Sequence, residues 1–270
     1  MPTESEIGED TTVPDAFYLP LGGERFLPTE HTSGPWSPDA QHFGPPSALL
    51  VRALEEVPAE REMMLSRVTV EILGPAPLRE LTLTARLERP GRAVEYLSAE
   101  LATDERVVAR ASAWRLAASD TAEVSAGLAE PPPAPDGFPP ATWPSTWLGG
   151  YLHAIEWRAI SGAVAGHGAA AVWARQRVAL VDGEKPSGLQ RLFTIADSGS
   201  GVSGRLDPAR WWFINSELTV HLQRPPSGEW IGLDATTTIG PNGVGTATSR
   251  LCDESGQVAL GAQALLVRPR

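Results

Sequence analysis

Val68-Thr-Val-Glu-Ile-Leu-Gly-Pro75 returns 150 positions later as Leu218-Thr-Val-His-Leu-Gln-Arg-Pro225. At the same offset, and without a gap, Leu101, Val108 and Ala109 fall on Leu251, Val258 and Ala259. The identities are few, but a constant offset across separate segments argues for an internal duplication. In the first copy Val68, Val70 and Ile72 alternate with polar residues, the signature of a half-buried strand. A duplication also supplies an internal comparison. A polar residue in one copy that answers an apolar residue in the other is a candidate for chemistry.

Outward from that strand, the same alternation continues. Leu81, Leu83, Ala85 and Leu87 mark a second strand, Ala93 to Leu101 a third, and Val107 to Leu116 a fourth after a turn at Asp104-Glu105. Short turns between period-2 segments predict an antiparallel meander. Upstream, Phe26 to Trp36 reads as a strand, and Phe43 to Val57 as a helix. Pro45 and Pro46 suit its first turn, and Leu50, Ala53, Leu54 and Val57 repeat at helical spacing. The plan recurs downstream. Val172 to Leu180 is a strand, and Pro186 to Asp197 a helix with the stripe Leu189, Leu192, Phe193 and Ala196. Strands follow at Trp212–Gln223, Glu229–Ile239, Val244–Asp253 and Val258–Val267, with Asn242-Gly243 as a hairpin turn.

These elements predict an α+β fold, two antiparallel sheets each wrapped around one long helix. That is the tandem, or double, hot dog plan, in which the pairing of two units occurs within one chain. The expected domains are a loose N-terminal segment at 1–16, a first unit at 17–117, a Pro-rich linker at 118–150 and a second unit at 151–270. The linker's Glu130-Pro-Pro-Pro-Ala-Pro-Asp-Gly-Phe-Pro-Pro140 is semi-rigid, and Phe138, Trp143 and Trp147 suggest that it packs on the body.

The formal charge of −11, from 22 basic and 33 acidic residues, argues against nucleic acid or an anionic membrane as partner. The start has no apolar stretch of signal-peptide type, and no run reaches the roughly 18 apolar residues of a membrane span. A single cysteine, Cys252, permits no intrachain disulfide and points to the cytoplasm. A metal is not expected, because the five His are scattered and Cys252 has no partner at ligand spacing. No Gly-x-Ser-x-Gly elbow, Walker A loop, dinucleotide fingerprint or His-Glu-x-x-His occurs.

With the helix stripes aligned, Asp197 answers Pro58; at the strand offset, Asn215 answers Leu65 and Gln263 answers Ala113. A carboxylate near a helix C-terminus runs against the helix dipole, and placement against local preference marks functional sites. Bland readings stand beside this one. Asp197, before Ser-Gly-Ser-Gly, reads equally as an exposed loop residue, Gln263 as a solvent-facing edge position, and Asn215 as a turn or strand-start residue.

At these residues the chain resembles the acyl-CoA thioesterase II-like family of double hot dog proteins. The resemblance spans nearly the whole length. It rests on Gly34-Pro-Trp-Ser-Pro-Asp-Ala-Gln-His-Phe-Gly-Pro-Pro46, on Thr194-Ile-Ala-Asp197, on Leu218 to Pro226 and on Ala262-Gln-Ala-Leu-Leu-Val267. It implies hydrolysis of an acyl-CoA to a carboxylic acid and coenzyme A, with no cofactor, by a homo-oligomer of double hot dog units. It further implies a water held by an Asp, a Thr or Ser, and a Gln. Asp197 and Gln263 match; the middle position falls on Asn215, which lacks a hydroxyl, with Ser216 beside it.

On that resemblance Asp197 is the general base, Asn215 or Ser216 and Gln263 orient the water, and backbone N–H groups at a helix start bind the thioester carbonyl. His42 is a possible supporting residue, or else structural. The coenzyme A-binding residues are unknown, with Arg224, Arg191 and Arg67 as candidates. Trp36, Trp211, Trp212 and Phe213 are candidates for the acyl tunnel, or ordinary core. Asn215 keeps open a non-catalytic acyl-CoA-binding protein. An enoyl-CoA hydratase is less favoured, because it uses an Asp and His pair in one loop.

Overall fold

The computed structural model describes residues 15–270 apart from 146, 148 and 167, so most of the expected loose segment lies outside the described residues. Strands β1 (Ala16–Pro20) and β2 (Arg25–Pro28) lead to helix α1 (Gly44–Glu56). The meander follows as β3 (Met63–Ile72), β4 (Leu81–Arg89), β5 (Val94–Ala102) and β6 (Val107–Ala117). After the Pro-rich crossing come α2 (Gly150–Ala154), β7 (Ile155–Ser161), β8 (Ala170–Gln176) and β9 (Ala179–Val181). Helices α3 (Gly188–Ala196) and α4 (Gly199–Val202) precede β10 (Trp211–Asn215) and β11 (Glu217–Leu222). The chain closes with β12 (Trp230–Ile239), β13 (Val244–Asp253) and β14 (Gly256–Pro269).

The two half-sheets run together into one sheet of 14 strands among the described residues, antiparallel except where β9 lies parallel to β1. The seam is β3 against β11. Thr69 stands opposite Thr219, Val68 opposite Val220 and Val70 opposite Leu218. A shift of 150 positions maps this pairing onto itself. The sequence offset is therefore a local two-fold axis, and the Thr69 and Thr219 hydroxyls meet on it at 3.1 Å. The copies even share an irregularity. The register slips at Ser66 between Leu65 and Arg67 of β3, and at the equivalent Ser216 the chain breaks between β10 and β11. A bulge of this kind re-aims the side chain next to it, here Leu65 in one copy and Asn215 in the other.

The helices lie against each other inside the sheet. Leu49, Leu50, Val51 and Leu54 of α1 and Leu192, Phe193 and Ile195 of α3 are buried. Each fully buried large aliphatic side chain contributes roughly 1.5–3 kcal/mol. The helices run antiparallel: Glu55 near the end of α1 accepts from Ser187 and Gln190 at the start of α3, and at the other end Gly44 meets the Thr194 carbonyl oxygen so closely that a Cβ has no room. This packing brings the start of α1 to the end of α3. The helix stripes align at an offset of 139 and the strands at 150, so the second copy carries eleven extra residues after its helix. They include α4.

Four expectations are corrected. The strand expected at Val172–Leu180 is two, β8 and β9. The strand expected from Phe26 to Trp36 ends at Pro28, where Thr29 caps a 3₁₀ turn at Glu30–Thr32 with its side chain. The single strand expected at Trp212–Gln223 is two, divided by the bulge. Strand β7, unanticipated, holds the hairpin with β8. In the crossing segment, Phe138 packs against Trp173 and Trp230, and the Trp173 indole N–H donates to the Pro133 carbonyl at 2.9 Å.

Candidate active site

Asp197 caps the C-terminus of α3 and is 5% exposed. It is not a loop residue in solvent, because the extra segment folds over it. Its Oδ1 accepts from Asn215 Nδ2 at 2.8 Å and from Gln263 Nε2 at 3.3 Å. Gln263 Nε2 also donates to the Asp197 carbonyl at 2.9 Å, while its Oε1 accepts the Ser200 N–H of α4 at 3.0 Å. With both ends engaged, the Gln263 amide has one orientation. Gly199 is needed beside it, since a Cβ there would lie 3.0 Å from Gln263 Oε1 and 2.7 Å from Ser249 Oγ. Gln263 is 1% exposed, on a strand with neighbours on both sides, and so is not a solvent-facing edge residue.

Asn215 ends β10 at the bulge, and its Nδ2 also reaches the Glu217 carbonyl at 3.3 Å. The Ser216 hydroxyl turns to the Ala264 carbonyl at 3.4 Å and makes no hydrogen bond to Asp197. Burial pushes the Asp197 carboxyl up to about 6, against the donors of Asn215, Gln263 and the Phe43 backbone. It is thus ionised at neutral pH yet close enough to it to take and return a proton.

His42 from the first copy and Tyr151 from the start of the second complete the site. His42 Nδ1 lies 3.4 Å from Asp197 Oδ2 and accepts the Gly44 N–H at 3.0 Å. The ring stacks on Tyr151 at 3.7 Å, with planes 4° apart. Burial lowers the imidazole to about 3, so it is neutral. The Tyr151 hydroxyl donates to the Thr194 carbonyl at 2.8 Å and lies 2.8 Å from the Ser198 hydroxyl. Burial raises the Tyr151 phenol above its usual value. The expected backbone donors are few at the start of α1. The Gly44 N–H is taken by His42, Pro45 and Pro46 have none, and the Phe43 N–H faces Asp197.

A cleft of about 430 Å³ opens on Asp197, His42, Asn215 and Ser216. Its walls are largely apolar, with Trp36, Trp143, Trp147 and Trp212 joined by Leu152 and Ile214. Of the four aromatic residues expected there, Trp36 and Trp212 line it. Phe213 lies behind, with its ring centroid 4.9 Å from that of Trp36, and Trp211 is outside. None of Arg224, Arg191 and Arg67 lines it. Arg224 is held by Asp253 at 2.6 Å, and Arg67 donates to Thr69 at 2.9 Å beside the two-fold axis. Arg270 stacks over Trp212 at 3.8 Å and over Trp36 at 5.6 Å.

The sequence could not show that His42 meets Asp197, because they are 155 positions apart and are brought together by the packing of the start of α1 on the end of α3. Tyr151 carried no signal. Ser198 and Ser200, read as loop, form the turn that orients Gln263 and braces Tyr151.

A curved antiparallel sheet enclosing two central helices, with an acid at an apolar cleft between the copies, defines a tandem hot dog protein. Comparison with known families agrees: residues 32–116 match the acyl-CoA thioesterase N-terminal domain and residues 135–267 its C-terminal domain. The chain belongs to the acyl-CoA thioesterase family and is a thioester hydrolase. Similar solved structures include a hot dog protein of unknown function from Alicyclobacillus acidocaldarius, with a TM-score of 0.72 and 17% identity over 94% of this chain and 97% of that one. Another is a candidate thioesterase from Novosphingobium aromaticivorans, with a TM-score of 0.72 and 22% identity over 93% and 98%. A third, acyl-CoA thioesterase II from Mycobacterium marinum, has a TM-score of 0.66 and 14% identity over 95% and 96%. Among curated proteins, none matches this sequence. Among the described residues, no helix is long and apolar enough to cross a membrane.

Proposed function

We propose that Asp197, Asn215 and Gln263 hold and activate the water that hydrolyses an acyl-CoA. The observation that carries this reading is their convergence. Three polar residues, each answered by an apolar residue in the other copy, meet on one buried carboxylate at the end of an apolar cleft. The acyl chain would lie along the Trp walls. Arg270, stacked on two of those Trp residues, sets a cation near the coenzyme A phosphates. In this assignment residues 151–270 carry the acid, residues 17–117 supply the opposing wall, and 118–150 connect them. The buried free thiol of Cys252 fits a reducing cytoplasm.

The chemistry follows from the groups present. Asp197 takes a proton from water as the water oxygen bonds to the thioester carbon and the carbonyl electron pair moves to oxygen. The carbon–sulfur bond then breaks, the acid is released, and the proton on Asp197 passes to the departing thiolate. Asn215 and Gln263 hold the carboxylate, and the water beside it, in one orientation. No covalent intermediate is required.

The test is thiol release from a panel of acyl-CoAs of increasing chain length. Wild type should release thiol, and Asp197→Ala should fall to background. Equal rates for the two proteins across the panel would remove the reading. Binding without release would favour the acyl-CoA-binding alternative, and a 3-hydroxyacyl product from an enoyl thioester would favour the hydratase.

A further inference from the structure

We infer that the His42 side chain, through its Nε2–H, is the donor that stabilises the oxyanion formed from the thioester carbonyl. The inference rests on the Asp197 reading above and adds a residue to it. An oxyanion needs a hydrogen-bond donor fixed in place before the reaction, and the start of a helix ordinarily offers several free backbone N–H groups. Helix α1 points its start at Asp197 yet offers few. The Gly44 N–H donates to His42 Nδ1 at 3.0 Å, Pro45 and Pro46 carry no N–H, and the Phe43 N–H faces the Asp197 carboxylate. The next N–H, of Ser47, bonds to the Phe43 carbonyl within the helix.

The same contact that occupies Gly44 defines the imidazole. Because Nδ1 accepts a hydrogen bond, the proton of the neutral ring is on Nε2. Among the described residues Nε2 has no acceptor, and it is not a fully buried atom. His42 lines the cleft, with 13% of its side chain exposed. The ring cannot swing away, because Tyr151 stacks on it at 3.7 Å and Tyr151 is itself pinned to the Thr194 carbonyl. The His42 backbone is tied by its N–H to the Thr32 carbonyl at 2.8 Å. A neutral, clamped donor thus stands beside the carboxylate that activates water. In the reaction it moves no proton; it accepts developing charge as a hydrogen bond while the carbonyl electron pair shifts to oxygen, and releases it when the carbon–sulfur bond breaks.

Two substitutions separate this role from a structural one. His42→Asn keeps an oxygen near the Nδ1 position for the Gly44 N–H but has no donor at the reach of Nε2. His42→Gln places an amide N–H at that reach. The expected result is a kcat lower by roughly a hundredfold in His42→Asn with KM within about threefold, and recovery to within about tenfold of wild type in His42→Gln. A second readout is the rate ratio between a thioester and a dithioester with sulfur in place of the carbonyl oxygen. The weaker acceptor should react more slowly on wild type, and that preference should shrink in His42→Asn even if part of the protein is misfolded. In Asp197→Asn both rates should fall, with the ratio on the residual turnover preserved. If His42→Asn keeps the wild-type kcat, if Asn outperforms Gln, or if the ratio is the same in wild type and His42→Asn, the inference is overturned. If instead Asp197→Asn turns over normally, it is the Asp197 reading that fails.

Discussion

The two ends of α1 and α3 occupy equivalent places about the Thr69–Thr219 axis, and they are finished in opposite ways. A second cleft, of about 390 Å³, sits where the two-fold axis carries the first one. Leu65 and Met64 replace Asn215 and Ile214 there, and Arg224 and Pro225 replace Gly74 and Pro75. At the end of α1, Arg115 donates to the Val57 and Pro58 carbonyls at 2.7 and 2.6 Å and pairs with buried Glu95. A cation on the last carbonyls of a helix is the arrangement its dipole favours. The counterparts of Arg115 and Glu95 in the second copy are Leu265 and Gly245, so no such pair exists there. In its place, α3 ends on a buried anion. One copy stabilises its helix end with a cation, and the acid in its cleft, Glu55, is held by Ser187 and Gln190; the other gives up that stabilisation and holds a carboxylate that titrates near 6.

Removing the anion should produce the largest effect. Asp197→Asn should lower kcat by about a thousandfold, within the usual range for loss of a general base. It should also stabilise the fold at neutral pH. The folded carboxyl is raised from 3.8 to about 6, so its penalty is absent below pH 4, grows as pH rises through that window, and is complete above it. The gain should approach about 3 kcal/mol at pH 7.5 at most and vanish near pH 3.5, read by urea denaturation at both values. A variant less stable than wild type at pH 7.5 would contradict the contrast between the two helix ends.

Arg115→Ala breaks the other end. It strands Glu95 in the interior and leaves two carbonyls without donors, so a loss of about 3–5 kcal/mol is expected in the same denaturation experiment. Turnover per folded molecule should stay within a few-fold of wild type. Combining it with Glu95→Ala should recover part of the loss, because the second copy manages without either charge.

Smaller changes sharpen the comparison. Asn215→Ala makes the site resemble Leu65 of the silent copy and should reduce kcat about tenfold, consistent with loss of one hydrogen bond to a charged group of about 1.5 kcal/mol. Asn215→Thr, which brings in a hydroxyl, should reduce it less. Thr69→Val removes one side of the hydroxyl pair on the axis. It should cost about 1 kcal/mol of stability and leave kcat unchanged, as expected of a contact that joins the copies without serving the cleft.

Much of this was readable in the sequence because it depends on period and offset. The 150-residue shift is a register in space, and the helix stripes are buried as their spacing requires. Asp197, Asn215 and Gln263 emerged because their counterparts are apolar. What the sequence hid depends on tertiary contacts. His42 reaches the site through the Gly44–Thr194 contact and Tyr151 through the Ser33 carbonyl, which accepts its N–H at 3.1 Å, and no local pattern encodes either. The bulge at Ser216 left no mark in the alternation of Trp212–Gln223, although it decides where Asn215 points. The helix start looked like a source of backbone donors, but Pro45 and Pro46 have no N–H and the His42 ring accepts that of Gly44.

The central claim, that the buried Asp197 carboxylate drives hydrolysis, is most directly tested by the pH dependence of kcat/KM for an acyl-CoA between pH 4.5 and 8.5. Since the ionised form is the base, wild type should lose activity as pH falls, with a midpoint near 6. In Asp197→Asn the residual rate should show no such limb. A wild-type profile flat through pH 6, or a limb that persists unchanged in Asp197→Asn, would contradict it.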